Sequence, residues 1–117
     1  MTLNEILTED RYEELESLGD TLFEGYQDIV ADHDIDATVQ WVGGVGGPLF
    51  TDSPVRNYRD FLDVDGDVHH EYWLGMLNEG VVPMPYGAEE EVLISVQHTE
   101  EDIETHLEAF KTVAPDL

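Results

Sequence analysis

The sequence predicts an α+β domain, a small and mostly antiparallel sheet with helices packed on one face. Three observations lead there. Apolar residues recur at three- and four-residue spacing in separate stretches, which is the signature of helices with one buried face. Two runs, Ala37–Val42 and Val92–Val96, are instead rich in β-branched and aromatic residues, as strands are. The order along the chain is helix, two strands, helices, strand, strand, helix. Strands and helices therefore do not alternate as in a parallel βαβ sheet.

The first helix is signalled by Thr2-Leu3-Asn4-Glu5, which has the spacing of a capping box. Leu15, Leu18, Leu22, Tyr26, Ile29 and Val30 then mark one face of a long helix ending near His33. Gly19 and Gly25 fall inside it, where each costs about 1 kcal/mol relative to alanine, so a break or a close approach is expected. Ala37–Val42 is the first strand. Gly43-Gly44-Val45-Gly46-Gly47-Pro48 permits a turn or bulge before a short second strand at Leu49-Phe50. A helical turn around Tyr58–Leu62 leads into the acidic loop 63–67. The next helix, about 67–79, carries Tyr72, Trp73, Met76 and Leu77, and Gly80 suits the position just past its end. Val81–Met84 reads as extended, 85–91 as a loop and Val92–Val96 as the most apolar strand. Thr99-Glu100-Glu101-Asp102 opens the last helix, which buries Ile103, Leu107 and Phe110 and stops before Pro115.

Composition narrows function. The 117 residues hold 28 acidic and four basic side chains, a formal net charge of −24. A nucleic-acid backbone or an anionic membrane surface is thereby excluded as a natural partner, since either requires clustered Lys and Arg. At 41% hydrophobic, the chain is too apolar for a disordered acidic tail and long enough to build one core. Such self-repulsion is relieved by bound cations, a basic partner or high salt, and at 1 M salt charges are screened within about 3 Å. The acids are spread from Glu5 to Asp116 and Lys111 is the lone lysine, a pattern that fits a salt-rich cytoplasm. No cysteine is present, so disulfides, thiolate nucleophiles and Cys-ligated zinc are excluded. Neither a secretory signal nor a bilayer-length apolar run is evident.

Sites of familiar chemistry are not complete. Asp63, Asp65, Gly66 and Asp67 suggest a calcium loop, but that register puts Phe61 and Tyr72 where the first and last carboxylate ligands belong. His69 and His70 are adjacent on a helix, about 100° apart, with Leu74 where a chelating His would stand, so both read as surface histidines. His98 reads as a packing or hydrogen-bonding group at the strand-to-helix junction, and His106 lacks partners at ligand spacing. No Gly-Lys-Ser/Thr follows the glycines at 43–47, and Ser17, Ser53 and Ser95 lie in no nucleophile motif. Glu89-Glu90-Glu91 gathers three carboxylates beside an apolar strand. They read either as a solvated loop or as an acid/base group. No metal site and no catalytic residue is assigned.

The segment from Gly80 through Val81-Val82-Pro83-Met84-Pro85-Tyr86-Gly87-Ala88 and the acidic run to Val92-Leu93-Ile94-Ser95-Val96-Gln97-His98-Thr99-Glu100-Glu101-Asp102-Ile103 resembles the C-terminal end of class III pyridoxal-phosphate aminotransferases. The glutamate-1-semialdehyde 2,1-aminomutase branch is the nearest in pattern, with its Gly-Val segment, Pro-containing loop, Glu, strand ending in Ser and His-Thr-x-x-Asp-Ile. Trp41–Gly44, the run Leu49-Phe50-Thr51-Asp52-Ser53-Pro54-Val55-Arg56-Asn57-Tyr58, and Leu18-Gly19-Asp20 are similar to earlier parts of the same small domain. The resemblance covers nearly the whole chain. It implies a single domain over residues 1–117, the small C-terminal domain of a fold-type I enzyme whose large cofactor-binding domain is absent. It also implies that pyridoxal phosphate belongs to the complete enzyme and is not bound by this chain alone. The partners implied are that large domain and a small amino-acid substrate. Glu90, five residues before Ser95, maps onto the pocket Glu of the aminomutase branch, with Glu89 and Glu91 one step either side. Relatives of the ornithine and 4-aminobutyrate type carry an Arg in the last strand; Val92–Val96 has none. The alternative is an independent acidic α+β binding module without catalysis.

Overall fold

The computed structural model describes residues 2–89 and 91–117. Thr2–Ile6 form a π-helical turn, separate from the long helix α1, which spans Glu9–Asp32. The helix thus starts six residues later than the capping box would place it, behind Thr8, whose extended backbone is the N-cap with no side-chain bond. At the other end His33 is the C-cap and Asp34 turns the chain with a φ of 54°.

Two strands follow, β1 (Thr38–Val42) and β2 (Val45–Leu49), paired antiparallel with Val42 opposite Val45. The turn between them is only Gly43-Gly44, and Gly43 has a φ of 57°. A left-handed first residue is what a two-residue hairpin of this sense demands, hence glycine. The second strand therefore runs through Gly46, Gly47 and Pro48 rather than beginning at Leu49-Phe50. Two further helices are α2 (Tyr58–Phe61) and α3 (Gly66–Asn78). Strand β3 is Val92–Leu93 alone, antiparallel to β2, giving the sheet order β1-β2-β3. It is shorter than the expected Val92–Val96, because after Ile94 donates to Gly44 the chain turns and His98 bonds back to Ser95. Helix α4 (Glu100–Val113) opens with a complete capping box between Thr99 and Asp102 and passes into a 3-10 turn at Ala114–Asp116.

The sheet divides the domain. Val39 and Trp41 face α1, where Trp41 stacks on Phe23 at 5.8 Å and donates its indole N–H to Asp20. Gln40 points the other way, as strand alternation requires, and its amide both donates to and accepts from the backbone of Val55. Beneath α1 the core is Leu22, Phe23, Tyr26, Met76 and Phe110, all nearly inaccessible. Gly19 lets α1 approach the hairpin: a Cβ there would lie 2.0 Å from the carbonyl oxygen of Gly43. The helix continues unbroken past it. Among the described residues no helix is long and apolar enough to cross a membrane.

Candidate functional site

The acidic run borders a groove of about 420 Å³ on the side of the sheet that carries Gln40. Its walls are Gln40 and Leu49 from the hairpin, Tyr58 and Phe61 from α2, and Glu89 and Glu91. Helix α2 is a single turn held by its own cap. Asn57 caps it by accepting from the N–H groups of Arg59 and Asp60, and Asp60 accepts in return from the Asn57 amide and from Arg56 N–H. Tyr58 lies stacked on Phe61 with ring centroids 6.3 Å apart and is largely exposed. The groove is thus an aromatic pair facing carboxylates, with no basic side chain in its wall among the described residues.

Glu90, the residue singled out from the sequence, lies outside the described residues. Its neighbours Glu89 and Glu91 both reach the groove. Sequence reasoning did not find Gln40, Asn57, Tyr58 or Phe61. Gln40 alone offered a signal, a polar residue among strand-forming ones.

The loop carrying the run rests on α3. Trp73 donates its indole N–H to the carbonyl of Met84 at 2.7 Å. His69, expected on the surface, is only 6% exposed. It lies at the buried start of α3, against Phe50 at 6.1 Å and Tyr72 at 5.8 Å. Burial lowers its pKa, although the Glu89 carboxylate and the Gly87 backbone beside it favour the proton. Phe50 is also in the core at 2%; Trp41 and Trp73 are half-buried.

The other histidines have distinct roles. His98 accepts the N–H of Ser95 at 2.9 Å, closing the turn before α4. His106 does have a partner, from a distant element. Its Nε2 hydrogen-bonds the hydroxyl of Tyr26, which also bonds the Tyr72 hydroxyl at 2.8 Å. Burial, and secondarily His98, lowers the His106 pKa to about 4, and burial raises both tyrosines. This triad joins α1, α3 and α4 through neutral groups.

A larger cleft, about 890 Å³, opens elsewhere, between the turn after α1, residues 50–54 and the C-terminus. Asp34, Asp36, Asp52, Asp60, Asp63 and Asp65 line it. Two of these are in structural use, Asp60 in the α2 cap and Asp65 as the N-cap of α3. The acidic loop is therefore partly a helix start. Among the described residues no three His, Cys, Asp or Glu side chains gather as for a metal ion.

Comparison with known proteins decides what kind of domain this is. No family model matches the chain. Curated relatives do: it is 36% identical over 104 residues to glutamate-1-semialdehyde 2,1-aminomutase 1 of Staphylococcus carnosus, covering 89% of this chain and 24% of that protein. It is 35% identical over 116 residues to the aminomutase of Desulfatibacillum aliphaticivorans, covering 99% and 27%. Along nearly its whole length the chain is similar to the C-terminal region of glutamate-1-semialdehyde 2,1-aminomutases, consistent with a fragment of a class III aminotransferase. It spans about a quarter of the length of the curated relatives it matches. The fold agrees. A crystal structure of the Pseudomonas aeruginosa PAO1 aminomutase superposes with a TM-score of 0.84 at 24% identity, over 96% of this chain and 24% of that one. A β-phenylalanine aminotransferase from Variovorax paradoxus gives 0.83 at 21%, over 95% and 25%.

Class III aminotransferases use pyridoxal phosphate, held through a lysine and a phosphate cradle. The residues of this chain do not fit that task. Its one lysine, Lys111, is exposed in the last turn of α4 and paired with Glu108 at 2.6 Å. The groove has carboxylates where a phosphate would need N–H donors or cations. No step through the cofactor is derived from this chain.

Proposed function

We propose that this domain forms one wall of the substrate pocket in a class III aminotransferase or aminomutase-like enzyme. The cofactor lysine, the acid that meets the pyridine nitrogen and the phosphate cradle then belong to the three quarters that the relatives have beyond this match. What carries the reading is identity of 35% along 99% of the chain, to a protein of which it spans only 27%. The acidic run takes the substrate-facing role, with Glu90 as its first candidate. Two features support a neighbouring large domain. Val42, Val45 and Leu93 form one row across all three strands, and each is exposed. Val82 and Tyr86, in the loop that leads to the run, are exposed too. A soluble domain in isolation gains nothing from such a row, whereas a docked one buries it.

The test is to assemble the chain with a polypeptide supplying the remaining portion, in molar KCl, and measure amine transfer and the cofactor's visible absorbance. Activity above that of the remaining portion alone is expected, and Glu90→Gln should reduce it. No gain from adding the chain would favour the independent binding module instead.

A further inference from the structure

Between Val82 and Glu89 the chain has neither helix nor strand, and among the described residues no backbone N–H there bonds another backbone carbonyl. Yet this segment delivers the acidic run to the groove, so its shape must be set from outside. Helix α3 does this with adjacent side chains. Trp73 lies four residues after His69 and three after His70, so the three rings share one side of the helix. All three meet Tyr86 on its inner side, its outer side being exposed: His70 edge-on at 5.0 Å, Trp73 at 5.7 Å and His69 at 6.5 Å. Trp73 adds the bond to Met84, which sits between two prolines whose φ is already fixed. Only about 10 Å³ remains where the Pro83–Pro85 segment meets α3 and β2, room for a single water at most. Beyond Tyr86, Gly87 is buried, and the Glu89 carboxylate closes over it, 3.0 to 3.1 Å from where a Cβ would stand.

We propose that Trp73, with His69 and His70, is the positioning device of the substrate pocket, clamping Tyr86 and Met84 so that Glu89 emerges at a fixed place on the groove. The histidine pair is thereby a clamp for a loop. The proposal rests on the pocket-wall reading for its catalytic consequence, but the clamp itself is a property of this chain. Helix α3 is anchored behind it by Tyr72 and Met76 in the core, so removing one clamp contact frees the loop without unfolding the helix.

The experiment has two arms. In the full chain, Trp73→Phe keeps an aromatic ring but loses the donor, and Tyr86→Ala removes the clamped ring. Limited proteolysis between 84 and 89 should become about tenfold faster in each, the effect of losing about one hydrogen bond's worth of closure. Cleavage within the helices and the thermal midpoint should stay near wild type, as in Leu74→Ala, which faces solvent on the same helix. In the assembled enzyme both variants should raise KM at unchanged kcat, by less than the proteolysis factor, because the fraction of molecules presenting a formed pocket falls less steeply than the open fraction rises. A purely structural role would lower the folded yield and leave KM alone, which would overturn the proposal, as would unchanged proteolysis. If the wild-type assembly is inactive, the pocket-wall reading fails, and the proteolysis arm still decides the clamp.

Discussion

The two flanks of this domain are built on opposite terms. The helical flank, α1 and α4, carries fourteen acidic side chains against Arg11 and Lys111 and packs through the most deeply buried residues of the molecule. The other flank, the hairpin from Ala37 to Thr51 and the segment from Gly80 to Ala88, contains no charged residue at all, yet it holds Val42 and Val45 of the exposed apolar row and the approach to the candidate site. Charge is concentrated on the helices, and its absence coincides with exposed apolar side chains at Val42, Val45, Val82 and Tyr86. What stabilises the first flank is a core; the second is held by strand pairing in the hairpin and, at Met84 and Tyr86, by one indole hydrogen bond and ring contacts from α3.

The largest effect that distinguishes them is that of salt. Among the described residues only two ion pairs form, Arg11–Glu14 and Lys111–Glu108, both exposed and three residues apart. Such pairs contribute little, so most of the charge of −24 is unrelieved at low ionic strength. Circular dichroism should show a cooperative thermal transition in 3 M KCl and none in dilute buffer. Amide exchange should show α1 and α4 losing protection first as salt is lowered. A cooperative transition in dilute buffer would remove the salt-adapted reading.

The seam between the flanks is the next place to press. Gly19→Val puts a branched side chain against the carbonyl of Gly43, where even a Cβ would lie at 2.0 Å. Backbone meets backbone there, so α1 must lift from the hairpin, at a cost of about 3 kcal/mol. Gly25→Ala is the matched control. Its Cβ would meet only the side chain of Leu107, at 2.7 Å, which can rotate away. Urea unfolding in high salt should place the second within about 1 kcal/mol of wild type.

These flanks were unequally legible in the sequence. Helical spacing found the buried face of α1 through Leu22, Tyr26, Ile29 and Val30, because burial on one side leaves a period. It found the Thr99 cap of α4 because capping is local chemistry. Phe23 fell between the periodic positions and was missed. Strand β2 was placed late, since Gly46, Gly47 and Pro48 have little strand propensity; pairing to β1 overrides it. The burial of His69 and the partner of His106 escaped sequence reasoning for one reason. Each is satisfied by groups far along the chain, His106 by Tyr26 and His69 beside Gly87 and Glu89, and no spacing rule reports such a partner. The acidic run was visible as a run, while the groove it borders required Tyr58 and Phe61 to be carried thirty residues back in sequence.

pH sharpens the contrast within the core. His106 is neutral in the fold, its pKa pushed down to about 4, against about 6.5 when unfolded. The unfolded chain therefore takes up the proton first, so stability is complete above about pH 6.5 and falls as pH drops toward 4. Allowing for the partial exposure of the ring, the loss is about 2 kcal/mol. His69, also lowered by burial, acts in the same direction. In 3 M KCl, where relief of acidic repulsion is screened out, urea midpoints should decline over that window. His106→Gln should flatten the decline while keeping a partner for Tyr26.

The smallest effect is confined to the first turn of α4. Thr99 accepts the N–H of Asp102, and the Asp102 carboxylate accepts both the N–H and the hydroxyl of Thr99. Those two bonds hold the Asp102 pKa below the ordinary carboxylate value. A depressed acid contributes above its unfolded pKa and stops contributing as pH falls through the folded one, so this cap fails only in acid, below the range where His106 acts. Thr99→Ala removes the hydroxyl from both halves of the box and should cost about 1 kcal/mol. The same variant should move the Asp102 titration, followed by carboxyl carbon NMR, upward toward that of an unpaired aspartate. Because His98 closes the turn just before Thr99 through Ser95, the substitution also asks whether this corner belongs to the helical flank or to the sheet. Frayed α4 amides with Ile94 still protected on Gly44 would assign it to the helix.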